Sequence, residues 1–315
     1  MAAAYLHEHK DFPDLLRIIE EETGILGFLV EKDYWLMHVL YGLQKQGYGF
    51  NLKGGTSLSK GYQIISRFSE DIDIYIKPLA ALAINETSNT KPNVEKRKLF
   101  YDELAGQIKI DGIVSIKRDH EFDDKYYRSG GIRLLYKSYT TPLEGVKEGI
   151  LLEAGFDTVS PFEQITISSW AFDKACQNSS IQLIDNRAIK VSCYHPGYTF
   201  VEKLQTIATK FRKESETGRP NKNFIRQYYD VYCPLENQTV LDFIKTVEYG
   251  NHKKKRFPPA NLETPLNKNE AFLLNDSKTR AEFSDRYKST SALYYKGQPK
   301  FEEVLQKLHS LLDRL

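Results

Sequence analysis

The sequence predicts an α+β fold, with a mixed sheet and flanking helices over residues 1–194 and a mainly helical domain over 195–315. Three observations lead there. Asp71 to Ile76 alternates polar and apolar residues, the period of a strand with one wet and one buried face. Short strand-like runs separated by turn signals recur as far as Val191. Beyond His195-Pro196-Gly197 the apolar spacing becomes helical almost throughout, which sets the expected domain boundary there.

Taken in order, Phe12–Glu21 and Glu31–Gln44 carry apolar residues at helical spacing and are divided by Gly24 and Gly27. Lys32 and Asp33, on the second of these helices, read either as functional residues or, as the simpler account, as a surface charge pair. A strand, a Gly54-Gly55 turn, a helix over Leu58–Ser66 and the Asp71 strand ending at Pro78 follow. The small polar residues of 81–93 predict a loop, and Val94–Gly106 a helix. Strands are expected at Ile113–Lys117, Gly131–Ser138, Gly149–Phe156, Phe162–Ile167 and Ile181–Val191. Helices are then expected over 198–213, 223–234, 240–248 and 301–315, with loops at 211–223 and at the basic run Lys253-Lys254-Lys255-Arg256.

The chemistry concentrates between Lys53 and Ile74, in KGGTSLSKGYQIISRFSEDIDI. Strand alternation points Asp71 and Asp73 the same way, and adjacent like charges on a half-buried strand persist when a cation or strong donors compensate them. Carboxylate oxygens suit Mg²⁺, which tends to bridge protein carboxylates to substrate phosphates. Gly54 and Gly55 permit positive φ and a close approach to a ligand, while Thr56, Ser57 and Ser59 supply hydroxyls and a helix cap. A triphosphate suits such a helix start. Glu153 is a carboxylate in an otherwise apolar strand, sharing a face with Leu151. It reads either as a third metal ligand, with Asp157 as fallback, or as a rim glutamate paired to a lysine.

The glycine turn followed by the Asp-x-Asp strand resembles the nucleotidyltransferase signature of the DNA polymerase β-like superfamily. With Leu58, Lys60, Arg67, Phe68, Ser69 and Glu70 included, it resembles the AbiEii/AbiGii group of toxin nucleotidyltransferases, MenT-like toxins among them. EKDYWLMHVLYGL from Glu31, the Glu202-Lys203-Leu204 helix and the Arg226-to-Asp230 helix extend the resemblance over most of residues 28–235. It implies a polymerase β-like domain and two metal ions, Mg²⁺ or Mn²⁺, one on Asp71, Asp73 and Glu153 and one on Asp71 and Asp73. It further implies that Gly54, Gly55, Thr56, Ser57 and Lys60 hold the triphosphate, joined by Lys203 and Arg226, with Asp230 orienting Lys203 or a nucleotide group. Gln227 stands where the group usually has an acid, which leaves Asp230 as the carboxylate of that helix.

The expected activity is transfer of a nucleoside monophosphate from an NTP to an RNA acceptor such as a tRNA 3′ end, by the toxin of a toxin–antitoxin pair with a cognate antitoxin. A nucleotidyltransferase acting on a small molecule or a protein, an inactive nucleotide-binding regulator, and a hydrolase built on the same carboxylates are the competing readings. The composition, 41% hydrophobic and 27% charged, is that of a soluble globular protein. No apolar run approaches the length of a membrane span, and the N-terminal residues lack a signal-peptide pattern, so a cytoplasmic protein is expected. Cys176, Cys193 and Cys233 are too scattered for a disulfide framework or a zinc site. Charge is uneven: from His195 on, 21 Lys+Arg against 15 Asp+Glu give +6, and before it 23 against 27 give −4. The basic half, with Arg212, Lys213, Arg219 and Lys222, is where a nucleic-acid backbone is expected to bind.

Overall fold

The computed structural model describes residues 3–78, 82–157, 160–177, 182–221 and 224–315. The chain divides into two compact units. Met1–Gly61 with Phe68–Tyr194 forms the first, and His195–Leu315 with the segment Tyr62–Arg67 forms the second. Lys222, and the expected starts of the 181–191 strand and the 223–234 helix, lie outside the described residues.

In the first unit, α1 (Phe12–Thr23) ends on Gly24, whose φ of 72° closes the helix in the left-handed conformation that glycine adopts without strain. α2 (Gly27–Lys45) follows. It is buried on every side, so its polar residues Glu31, Lys32 and Asp33 are buried too. This corrects the expectation of a surface pair, because a helix apolar around its whole circumference lies inside a fold. Glu31 accepts hydrogen bonds from Ser138, Tyr139 and Thr140, and Lys32 donates to the carbonyls of Lys147 and Gly149.

β1 (Phe50–Lys53) leads into a short helical turn, α3 (Gly54–Thr56), continued by a π-turn over Ser57–Gly61. The helix expected over Leu58–Ser66 is therefore displaced. The helical stretch stops at Gly61, and residues 62–66 run on without helix. Leu58, Tyr62 and Ile65 imitate helical spacing, yet Gln63 adopts φ 54°, which no helix accommodates.

β2 (Asp71–Ile76), α4 (Lys91–Gln107), β3 (Ile113–Asp119), β4 (Ser129–Tyr136), β5 (Ile150–Gly155), β6 (Phe162–Ile167), α5 (Trp170–Ala175) and β7 (Ala188–Tyr194) complete the unit. The seven strands form one sheet in the order β3-β4-β5-β2-β1-β7-β6. It is mixed, as expected: β2–β5 and β1–β7 are parallel and the other pairs antiparallel. Ile72, Ile74, Leu52, Ile150, Leu152, Ala154, Ile132 and Leu134 bury one face, and α2 packs on β5 and β7. The alternate residues Asp71, Asp73, Tyr75 and Glu153 occupy the other face.

In the second unit, α6 (Pro196–Thr217) starts with Pro196 in its first turn and stops on Gly218 at φ 64°. It runs well into the stretch expected as a loop, so Arg212 and Lys213 are helical. α7 (Arg226–Tyr232), α8 (Gln238–Ile244) and α9 (Val247–Arg256) follow. The basic run thus ends a helix rather than lying on a loop. Thr246 caps that helix, and its cations sit in the last turn, where the helix dipole favours positive charge. Short helices α10 (Pro259–Leu262) and α11 (Glu270–Leu273), then α12 (Ser277–Lys288) and α13 (Phe301–His309), close the chain. Among the described residues no helix is long and apolar enough to cross a membrane.

Candidate active site

The register of the sheet assembles the acidic site. Asp73 stands opposite Lys53 on β1 and opposite Glu153 on β5, with Gly131 of β4 next along the same row. Asp71 lies two residues back on the same face. Of the two readings of Glu153, the sheet places it beside the Asp-x-Asp pair, whereas Asp157 is exposed beyond the strand end.

Electrostatics follow from this crowding. Burial, with the charges of Asp73 and Asp71 beside it, pushes the Glu153 carboxyl up to about 8. Glu153 and Asp73 also share a hydrogen bond, which fits a proton held on Glu153 and donated to Asp73. Asp71 rises to about 6, first through burial and then through Asp73 and Glu70. Lys147 and Lys32 oppose that rise. Burial brings Lys32 itself down to about 8, with Glu70 and Asp71 countering. The two lysines neighbour the acids electrostatically, which sequence spacing alone does not show. Lys147 sits in a polar connection with no motif, and Lys32 meets Gly149, whose carbonyl is 2.6 Å from its Nζ, only through folding over a separation of 117 residues.

The glycine turn lies against these acids. Gly54 has φ 69°, and a Cβ there would come 2.2 Å from Asp73 Oδ2, so glycine is required both by backbone conformation and by space. Thr56 Oγ1 donates to the Asp71 carbonyl at 2.5 Å and Ser57 Oγ to the Tyr194 carbonyl at 3.4 Å, which ties the turn to β2 and β7. Gly55, Thr56, Ser57 and Ser59 are buried, and Ser59 Oγ has no hydrogen-bond partner among the described residues. Lys60 is held elsewhere: its Nζ lies 2.8 Å from the buried Asp33 carboxylate and 5.0 Å from the centre of the Trp170 ring.

As they stand, no three His, Cys, Asp or Glu residues among those described are arranged to hold a metal ion. The chemistry of the donors nevertheless fits one. Three carboxylates share one face of the sheet, Asp73 and Glu153 in one row and Asp71 two residues back, two of them disfavoured as anions, and Asp71 Oδ1 is buried without a hydrogen-bond partner among the described residues. Hard oxygen donors of this kind suit Mg²⁺ or Mn²⁺, which would take the place of the proton on Glu153.

The second unit holds its own charged cluster. Asp230 is fully buried and takes two hydrogen bonds from Arg67, Nε to Oδ1 at 2.6 Å and Nη2 to Oδ2 at 2.5 Å. Lys203 Nζ lies 3.1 Å from Oδ2. Burial alone would raise the Asp230 carboxyl, but Arg67 and Lys203 outweigh it and hold the group below the usual range. Lys203 and Asp230, separate in sequence, are thus brought together, with Arg67 as a partner that the sequence reading left out of the site. Arg226 opens the same helix as Asp230 and is half-buried. Of the basic residues proposed to track a nucleic acid, Arg212 donates to Asn261 at 2.7 Å, while Lys213 and Arg219 are exposed. In the basic run, Arg256 pairs with Glu202 at 2.9 Å and Lys253 binds the carbonyl of Leu315.

Residues 38–307 match the family model described as "Nucleotidyl transferase AbiEii toxin, Type IV TA system". Among solved structures the chain is similar to MenT4, a nucleotidyltransferase toxin from Mycobacterium tuberculosis H37Rv. The two are 14% identical, and the match covers 87% of this chain and 97% of that one at a TM-score of 0.41. Comparison with curated proteins gives no match.

Proposed function

This chain belongs to the AbiEii nucleotidyl transferase toxin family of type IV toxin–antitoxin systems, and from that premise we propose that it is a metal-dependent enzyme that moves a nucleoside monophosphate from an NTP to RNA, such as a tRNA 3′ end. Family membership implies a cognate antitoxin as well. The observation that carries the proposal is the row Asp73–Glu153 with Asp71 on the same face, behind a turn whose first residue must be glycine.

In the reaction, the acceptor hydroxyl oxygen bonds to the α-phosphorus. The bond from that phosphorus to the bridging oxygen breaks, its electrons leave on pyrophosphate, and the hydroxyl proton passes to a base. Asp71, Asp73 and Glu153 would hold a divalent ion, which when bound lowers the pKa of an attacking hydroxyl and neutralises charge on the triphosphate. To hold such an ion, Glu153 would have to be ionised. Gly54 and Gly55 let the phosphates approach the backbone closely, and Thr56 and Ser57 hold the turn in place through their bonds to the Asp71 and Tyr194 carbonyls. Lys32 and Lys147 offset the acidic charge around Asp71. The family resemblance assigns Lys203 and Arg226 to the triphosphate, and within the second unit Asp230 with Arg67 fixes the position of Lys203.

The test is incubation with each labelled triphosphate, a divalent ion and total cellular RNA. Label entering RNA supports the proposal. Label entering an aminoglycoside or a protein while RNA stays unlabelled contradicts the assigned acceptor.

A further inference from the structure

The second unit contains a cavity of about 660 Å³, within the range of small-molecule sites, that the catalytic proposal does not use. Its wall includes Tyr62, Gln63 and Ser66, in the segment that joins the glycine turn to the Asp-x-Asp strand. Four residues of chain separate Ser66 from Asp71.

The wall is built, not loose. Tyr295 N–H donates to the Ser66 carbonyl at 3.2 Å, Tyr295 Oη donates to the Ile65 carbonyl at 3.2 Å, and Ser66 N–H donates to Tyr229 Oη at 3.3 Å. Arg67 and Tyr294 add a β-bridge. Against this support Gln63 keeps φ 54°, a conformation that costs a non-glycine residue energy and that recurs where backbone strain serves a ligand. Gln63 is exposed at the rim.

The chemistry of the lining selects a ligand. Tyr62, Tyr229 and Tyr232 contribute phenol rings, and Gln63, Asn237 and Gln298 contribute amides. Tyr229 backs Tyr232 with ring centres 6.2 Å apart and planes 25° from parallel, and Tyr229 is itself held edge-on by Tyr294. Among the described residues the lining carries just two charged side chains, Glu236 and Lys296, which nearly cancel, and Glu236 faces Lys307 at 3.7 Å. A phosphate would need clustered cations, and the described lining residues supply none. Flat aromatic faces with neutral amides beside them suit a nucleobase, stacked on the ring and read along its edge.

We infer that this cavity receives an unstacked base of the acceptor strand and so makes the enzyme select single-stranded ends over duplex. The inference rests on the reading of RNA as acceptor. Stacked, paired bases hide their faces, so a duplex offers nothing to Tyr232.

The test measures binding of a short fluorescent single-stranded RNA and of a blunt RNA duplex to the full chain, alongside label transfer from NTP. The expected result is a preference of wild type for the single strand. Tyr232→Ala should lose roughly ten- to one hundredfold in single-strand affinity. Tyr232→Phe should recover it, with triphosphate affinity unchanged in both. Gln63→Gly relieves the backbone and so folds at least as well as wild type, yet should lose roughly two- to tenfold by removing the amide. If RNA is labelled but Tyr232→Ala and Gln63→Gly bind the strand as wild type does, or duplex binds equally, the cavity assignment is wrong and the acceptor reading stands. If wild type neither binds nor labels RNA, both fall.

Discussion

Replacing Glu153 by Gln isolates the strain of the acidic row. In the folded protein this carboxyl titrates at about 8 against 4.5 when unperturbed, because burial and the neighbouring aspartates disfavour its anion. Between those values the folded chain holds more protons than the unfolded chain, so stability falls as pH rises across that window. Each pH unit is worth about 1.4 kcal/mol. The window from 4.5 to about 8 therefore carries at most about 5 kcal/mol, and the half-buried setting makes about 2 kcal/mol the least to expect. Glu153→Gln keeps the hydrogen bond to Asp73 and removes the titration. Urea unfolding in chelator, repeated from about pH 5 to about pH 8, should show wild type losing stability while the variant changes less. The variant should be the more stable of the two at the alkaline end. Saturating Mg²⁺ should reverse that order, because wild type gains binding free energy that the variant gains more weakly. Wild type and variant unfolding in parallel across the pH range in chelator would refute a raised Glu153.

Further outcomes follow from the same geometry. Gly54→Ala adds a Cβ 2.2 Å from Asp73 Oδ2 at a φ of 69°, so urea unfolding should show a loss of about 1–3 kcal/mol or more and transfer should fall with it. Asp230→Asn leaves Arg67 and Lys203 facing a neutral amide and should cost about 3–5 kcal/mol, whereas a change below about 1 kcal/mol would show the cluster to be well solvated. Lys203→Ala should weaken triphosphate affinity and slow transfer, and a rate and affinity equal to wild type would mark it as purely structural. Neutralising the exposed Lys213 and Arg219 together should flatten the salt dependence of RNA binding by about two phosphate contacts.

What the sequence disclosed, it disclosed through local pattern. The alternation at Asp71–Ile76 is the observed strand, and the parity of Ile150–Ala154 put Glu153 on the face it occupies. The mixed sheet followed by helices was legible from the change of period, and the AbiEii membership from the glycine turn and Asp-x-Asp motif. Contacts made only by folding were not. Lys32 and Asp33 look like solvent charges until Gly149 and Lys60 meet them in the interior. Arg67 pairs with Asp230 across 163 residues. The helix placed over Leu58–Ser66 failed for a different reason, since apolar spacing persisted where the backbone at Gln63 had left the helical region. The basic run was misread because Phe257-Pro258-Pro259 suggested a loop, although the prolines come just after the helix whose last turn those cations occupy.

The most direct test of the central claim is transfer by Asp73→Ala. Removing one of three crowded carboxylates relieves repulsion, so in chelator this variant should unfold no earlier than wild type. With labelled NTP, RNA and Mg²⁺, wild type should label RNA, while Asp73→Ala, and wild type in excess chelator, should label none. Label incorporated by the variant or by the chelated enzyme at the wild-type rate would contradict a nucleotidyl transfer site built on this row of acids.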